Sequence, residues 1–320
     1  MANLRSDELV ITPPRDQLVR DEPMRVPIVL RLATPCRVRS VFANFRGAEE
    51  TKATYTTQTP GPKGQMTTQV RTAIECVDIV KREWLLAGSE RRGFFGNLAD
   101  SLATLFGGGR HERMTPGTYQ YEVELTVPPD APATHKGERS RVFYELKARV
   151  DIALGRDLRV HHSFSVMPLS QETVEAQPVR VCYPDDEGRG FWSSLLEPDV
   201  RIELALDADR AQRGETIRGS FRVETQKPLD VRQIRVRLVG HEKSEAHGHS
   251  DAHHYKGEPV TIDAPRVIAP SWSTEFSLPA EVEGPPTTKG KLFSIDWFVE
   301  VALDVPWAKD PTIRAPITLG

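Results

Sequence analysis

Five of the nine histidines fall in one stretch, HEKSEAHGHSDAHHYKGE at positions 241–258. Side chains alternate along an extended chain, so an extended stretch would place every second residue on one side. The residues that then share a side are His247, His249, Asp251 and His253. A His-x-His pair supplies two of the three or four ligands that zinc needs, which makes these residues candidate ligands of a metal-binding sensor or hydrolase at 247–254. The glycine, serine and charged residues of the stretch are also typical of a solvated hairpin loop without a metal.

Motifs with a known catalytic mechanism do not occur in the chain. It has no Gly-x-Ser-x-Gly elbow, phosphate loop, dinucleotide-binding glycine fingerprint or His-Glu-x-x-His pair. The charged residues lie mostly at alternate positions of strands or in turns, as they do in a binding module. We therefore expect that the protein is not an enzyme and needs no cofactor. A glycosidase with two carboxylates on distant strands would leave no local motif, and this alternative stays open at the level of sequence.

One segment, RRGFFGNLADSLATLFGGGR at 91–110, has the period of an amphipathic helix. The apolar residues on its shared face are Phe94, Phe95, Leu98, Leu102, Leu105 and Phe106. Most such helices cover a core, so the first interpretation is that helix 94–106 packs on its own domain. The alternative is a glycine-hinged element that inserts into a membrane surface, a partner's groove or a second copy of the chain. Flanking arginines at 91, 92, 110 and 113 would suit anionic lipid headgroups.

The composition and the N-terminal sequence limit the cellular compartment and the classes of partner that we expect. The 320 residues are enough for two domains, and 42 basic against 45 acidic residues give no overall field that would attract nucleic acid. The N-terminus lacks the pattern of a secretory signal, and no apolar run approaches the roughly 20 residues that span a bilayer. Three widely spaced cysteines match neither a disulfide framework nor a zinc site. We therefore expect a cytoplasmic protein with reduced thiols.

The two halves of the chain repeat one plan. The blocks that align without a gap are 9–51 with 202–244 and 136–150 with 289–303. Identical residues recur at turns, as with Gly47 and Gly240, and apolar residues alternate through the second block of each half. The first copy carries extra residues between its two blocks. Such short alternating strands, separated by proline and glycine, predict an all-β chain of two tandem immunoglobulin-like antiparallel β-sandwiches with one short helix in the first.

The order of these elements is similar to that of a known family. The stretches that carry the likeness are FRGAEE (45–50), 116–132 and 142–150 in the first half, and LVGHE (238–242), 276–306 and APITL (315–319) in the second. In this order the chain resembles the arrestin superfamily, whose members are themselves two similar sandwiches in tandem. The nearest comparison within it is with bacterial arrestin-like proteins of the sporulation-control type. The Pro-Pro-x-Tyr motif by which some members recruit ligases is absent.

The resemblance implies an adaptor or scaffold that performs no chemistry and binds protein partners through loops and sheet edges. Two alternatives remain: a peripheral membrane scaffold that uses helix 94–106, and the metal-binding sensor or hydrolase at 247–254. We place the first sandwich at 1–168, the connection between domains at 169–198 and the second sandwich at 199–320.

Overall fold

The computed structural model describes residues 6–60, 65–88, 112–153, 155–168, 176–184 and 200–320. The described residues form strands and turns and contain no helix. The predicted helix 94–106, with its six candidate contact residues, lies outside them.

The described residues of the first half of the chain form ten strands. They are β1 (Glu8–Ile11), β2 (Gln17–Leu18), β3 (Met24–Leu32), β4 (Cys36–Pro60), β5 (Met66–Gly88), β6 (Glu112–Met114), β7 (Gly117–Leu125), β8 (His135–Lys136), β9 (Ser140–Ile152) and β10 (Leu158–Val166). One sheet has the order β1-β3-β7, and the other has the order β2-β10-β9-β4-β5, with β6 on β4 and β8 on β9. Alternation assigns the faces: in β3, Val26, Ile28 and Leu30 are fully buried, whereas Arg25 and Arg31 face solvent.

In the second half, the part of the chain that the structure describes forms thirteen strands. They are β11 (Val179–Tyr183), β12 (Val200–Leu206), β13 (Arg210–Ala211), β14 (Thr216–Thr225), β15 (Leu229–Asp230), β16 (Gln233–Ala246), β17 (His249–Lys256), β18 (Val260–Ile262), β19 (Val267–Ile268), β20 (Ser271–Pro279), β21 (Thr288–Lys289), β22 (Phe293–Asp304) and β23 (Thr312–Leu319). The two large sheets have the orders β11-β12-β14-β20 and β13-β23-β22-β16-β17, while β15 pairs with β19.

The strand orders confirm the predicted all-β class and the tandem sandwiches. The pairing of β3 with β7 returns as β14 with β20, and the central pair β4 and β9 returns as β16 and β22. The blocks aligned in the sequence fall on these equivalent strands. The extra residues of the first copy lie partly in longer strands, since β4 and β5 have 25 and 23 residues while β16 and β17 have 14 and 8.

Contacts divide the chain into two compact units. The first contains Met1–Glu50, Cys76–Thr134 and Val142–Met167, and the second contains Thr51–Glu75, His135–Arg141 and Pro168–Gly320. Two segments from the first half of the sequence therefore count with the second unit. The domain limits expected from the sequence, 1–168 and 199–320, stay a prediction.

An aromatic ring over a glycine occurs in each unit. A Cβ built on Gly47 would lie 2.4 Å from the ring of Tyr144, and one built on Gly240 would lie 2.9 Å from the ring of Trp297. The polar end of each ring donates to a proline carbonyl, from Tyr144 Oη to Pro132 O at 2.8 Å and from Trp297 Nε1 to Pro285 O at 3.0 Å. Only glycine leaves room for these rings, which explains why glycine recurs at the aligned position.

We expect Gly240→Ala to destabilise the second unit by about 2 kcal/mol, because its methyl group overlaps a fully buried ring. Urea denaturation followed by tryptophan fluorescence measures the change. Gly117→Ala is the matched control, since a Cβ there meets no atom within 4 Å. Equal stability of the two variants would contradict this account of the repeated glycine.

Candidate functional site

The histidine-rich stretch forms a β-hairpin and not the solvated loop that the sequence also allowed. Strands β16 and β17 pair antiparallel from Val239↔Lys256 to Ala246↔His249. His247 and Gly248 form the turn with φ values of 49° and 77°, as a two-residue type I′ turn requires. The loop interpretation is therefore wrong, because strand pairing extends to both sides of this turn.

Three of the four candidate metal ligands face the segment 51–75 or 135–141 of the same unit. The ring of His249 stacks on that of Tyr55, with ring centroids 3.7 Å apart. Asp251 Oδ2 accepts a hydrogen bond from the backbone N–H of Thr54 at 2.9 Å and lies 3.4 Å from Arg139 Nε. The backbone N–H of His247 donates to Glu75 Oε2 at 2.6 Å.

Electrostatics agree with a structural use of Asp251. Burial by itself would raise the pKa of this carboxyl, but hydrogen bonds from the backbone of Thr54 and Ala252, together with Arg139, lower it below its usual range. The ring of His253 lies edge-on to that of Tyr255, with ring centroids 4.7 Å apart. Among the described residues, no group of three or more His, Cys, Asp or Glu side chains is placed to hold a metal ion. Metal binding by His247, His249, Asp251 and His253 stays a hypothesis from the sequence.

The centre of this region is the fully buried carboxylate of Glu242. Its Oε1 accepts from the backbone N–H groups of Arg139 at 3.1 Å and Ser140 at 2.7 Å, and from Ser140 Oγ at 2.6 Å. Its Oε2 accepts from the backbone N–H of Glu138 at 3.0 Å and from Tyr255 Oη at 2.6 Å. Three successive backbone N–H groups thus converge on one anion, and burial without them would be costly.

Close approach of the chain to Glu242 depends on a glycine. A Cβ on Gly137 would lie 2.3 Å from Glu242 Oε1. The phenol of Tyr255 has a raised pKa, first because it is buried and then because it donates to Glu242. The arrangement therefore holds residues 137–140 against β16 and β17 through one carboxylate. Sequence reasoning missed it, although Glu242 aligns with Glu49 and the Lys-Gly pair at 136–137 recurs at 289–290.

A serine, a histidine and a glutamate meet here, but not as a nucleophilic triad. His135 Nε2 lies 3.1 Å from Ser140 Oγ, which is itself bonded to Glu242. In a catalytic triad the histidine lies between the serine and the carboxylate, so that it can take the proton and be oriented. In this chain the serine is in the middle, and all three residues are buried. The cluster supports a structural role and gives no support to hydrolysis.

Two exposed features stand out on the described surface. Trp307, in the turn between β22 and β23, is fully exposed and has a φ of 62°. A bulky side chain in the left-handed region is a genuine outlier. Strand β5 lies at the end of its sheet and exposes three apolar side chains on one face, those of Met66, Val70 and Ile74. Sequence reasoning named sheet edges and loops in general, without these residues.

We expect Glu242→Gln to destabilise the second unit by about 2 to 3 kcal/mol, because the amide retains one acceptor oxygen and leaves buried N–H groups without a partner. Thermal and urea unfolding measure the loss. Glu245→Gln, on the exposed face of the same strand, is the control and should change stability by less than about 0.5 kcal/mol. Indistinguishable unfolding of the two variants would contradict the role given to the carboxylate.

Comparison with known proteins agrees with this fold. A family model described as the arrestin (or S-antigen) N-terminal domain matches residues 18–172, a range that runs from β2 past β10. A search of curated proteins gave no significant match, and the likeness to sporulation-control proteins stays a prediction. No helix among the described residues is long and apolar enough to cross a membrane. The family match over residues 18–172, together with the repeated sandwich order, supports membership of the arrestin superfamily.

Proposed function

We propose that the protein is a non-enzymatic adaptor that binds protein partners through exposed loops and strand edges. Arrestin-family proteins typically bind other proteins, which supports this kind of role. The observation that carries the proposal for this chain is the fully exposed Trp307, held at a φ of 62°. Tryptophan is among the residues most enriched in the energetic centres of protein interfaces. A cytoplasmic location is part of the same proposal.

Local packing gives no reason for a tryptophan at this position. A left-handed conformation costs a residue with a side chain roughly 1 to 2 kcal/mol, and an exposed ring recovers none of it by burial. Strain of this kind is concentrated at sites that bind ligands or partners. The turn itself is fixed by backbone hydrogen bonds, such as Ala308 N to Val305 O at 3.4 Å and Leu303 N to Pro311 O at 3.0 Å. A hydrogen-bonded turn thus presents the indole ring.

Strand β5 offers a second surface of the kind that adaptors use. A strand at the end of a sheet has unpaired backbone groups on one side, to which an extended peptide of a partner can add as a further strand. Specificity would come from contacts between every second side chain of the added peptide and Met66, Val70 and Ile74. Because these apolar side chains are exposed, we expect the edge to bind protein and not to face only water.

We expect Trp307→Ala to reduce recovery of the partner at least about tenfold in affinity capture from the native cell, as the loss of an interface centre does. The fold should be unaffected, and Trp307→Asn should raise stability by up to about 1 kcal/mol, because asparagine tolerates the left-handed conformation better. Quantitative mass spectrometry of captured proteins and thermal unfolding are the two measurements.

The control for capture is Trp272→Phe. This ring packs edge-on against Phe221, with ring centroids 5.7 Å apart, so phenylalanine preserves most of its contact. Proteins recovered equally by the wild type, Trp307→Ala and Trp272→Phe are background. If every captured protein belongs to that group, the adaptor proposal based on Trp307 is contradicted.

A further inference from the structure

The sheet β13-β23-β22-β16-β17 has an outward face whose residues form rows across the strands. Register places Arg237 beside Glu300 and Glu300 beside Arg314, while His241 lies between His254 and Asp296. We call these residues, with the apolar and lysine positions near them, the outer face. Its members are Arg237, Val239, His241 and Lys243 on β16, His254 and Lys256 on β17, Asp296, Phe298 and Glu300 on β22, and Arg314 and Pro316 on β23.

The first row holds one anion between two cations. Glu300 has a side chain only 3% exposed, and its two oxygens accept from Arg237 Nε at 2.8 Å and Arg314 Nε at 2.8 Å. Burial would raise the pKa of this carboxyl, but the hydrogen bonds from the two guanidinium groups lower it, so it is ionised at neutral pH. The carboxylate neutralises one arginine, and the row keeps one positive charge. The arginine side chains remain 30% and 45% exposed and can meet a ligand.

The next row, one step nearer to the turn between β16 and β17, is apolar. Val239 is directly opposite Phe298, which is opposite Pro316, and Val239 is only 4% exposed although it points to the outer side. Lys256 lies beside Val239 on β17 and is exposed. A small apolar centre is therefore flanked by cations.

The third row is polar, and the positive charge near it comes from Lys243. The ring of His241 lies 4.6 Å from that of His254 and 5.3 Å from that of Phe298. The pKa of His241 is lowered, first by burial and then by the charges of Arg314, His254 and Lys243, against the opposing effect of Asp296. Lys243 is exposed on the same side. Within the outer face the acidic groups are Glu300, which is neutralised by its arginines, and Asp296. Beyond it on the same side of the sheet, Glu245 lies near the hairpin turn and Asp304 at the other end, where Asp310 pairs with Arg235.

We propose that the outer face binds an acidic, extended segment of a protein partner, in which carboxylates alternate with apolar side chains. Carboxylates would bind at Arg237, Arg314, Lys243 and Lys256, and an apolar side chain would cover Phe298. The assignment follows from charge complementarity, because arginine and lysine form charge-assisted hydrogen bonds with carboxylates and interface centres are apolar with a polar rim. It deepens the adaptor function proposed above and depends on it for the protein nature of the ligand.

A defined peptide tests the proposal with the full chain. Fluorescence anisotropy measures binding of a labelled twelve-residue peptide of alternating Glu and Leu, and of the same peptide with Gln in place of Glu. We expect binding of the Glu peptide alone, weakening as salt rises. Lys243→Glu with Lys256→Glu should weaken it at least about tenfold, since reversal of two charges turns attraction into repulsion. These lysines are exposed, so thermal unfolding should be unchanged.

The control is Lys227→Glu with Arg266→Glu, an equal change of charge at exposed positions in loops of the same unit. Equal weakening by both pairs, equal binding of both peptides, or no binding of the Glu peptide would overturn the proposal. So would binding to vesicles of phosphatidylserine that the lysine pair abolishes while the Glu peptide does not bind. If the peptide fails to bind but Trp307→Ala still removes a captured partner, the adaptor function stands and only the acidic segment is rejected.

Discussion

Each sandwich is closed by an aromatic ring that covers a glycine and donates a hydrogen bond to a proline carbonyl. Tyr144 does this in the first unit and Trp297 in the second, and both are among the largest fully buried side chains. The ring thus joins a central strand of its sheet to the proline-containing turn before that strand, which holds Pro132 in the first unit and Pro285 in the second. One side chain therefore fills the core and fixes where that turn lies, which positions the loops and the outward faces.

Alternation along the strands then separates structure from function. The inward positions of β16 and β22 are apolar, except for Glu242 and Ser244, and the outward positions carry the arginines, histidines and lysines. Glu242 is an exception because a loop supplies backbone N–H groups to its carboxylate. One face of the histidine-rich hairpin contacts that loop through Asp251 and Arg139, and it contacts Tyr55 of β4 through His249. The opposite face of the same hairpin, with His254 and Lys256, remains available to a partner.

The sequence alone predicted the all-β class, the two sandwiches and the repeat, because alternation and turn residues are local signals. It also aligned Gly47 with Gly240, although the reason, an aromatic ring packed on each glycine, is visible only in the folded structure. The hairpin turn at His247 and Gly248 was missed because histidine at positive φ has no strong local signature. Contacts of Glu242 with residues 138–140 join positions a hundred residues apart in the chain, and no periodicity reveals such a pairing. The exposure of Trp307 was equally invisible, since tryptophan between two strands usually predicts a core position.

The central claim is that the partner binds the turn at 305–310 and the outer face of the second unit. Hydrogen–deuterium exchange of the full chain, with and without the captured partner, tests it most directly. The account predicts slower exchange in 305–310 and in strands β16, β17 and β23, with no change in β12 and β14. Protection confined to β12 and β14, with none at 305–310, would contradict it.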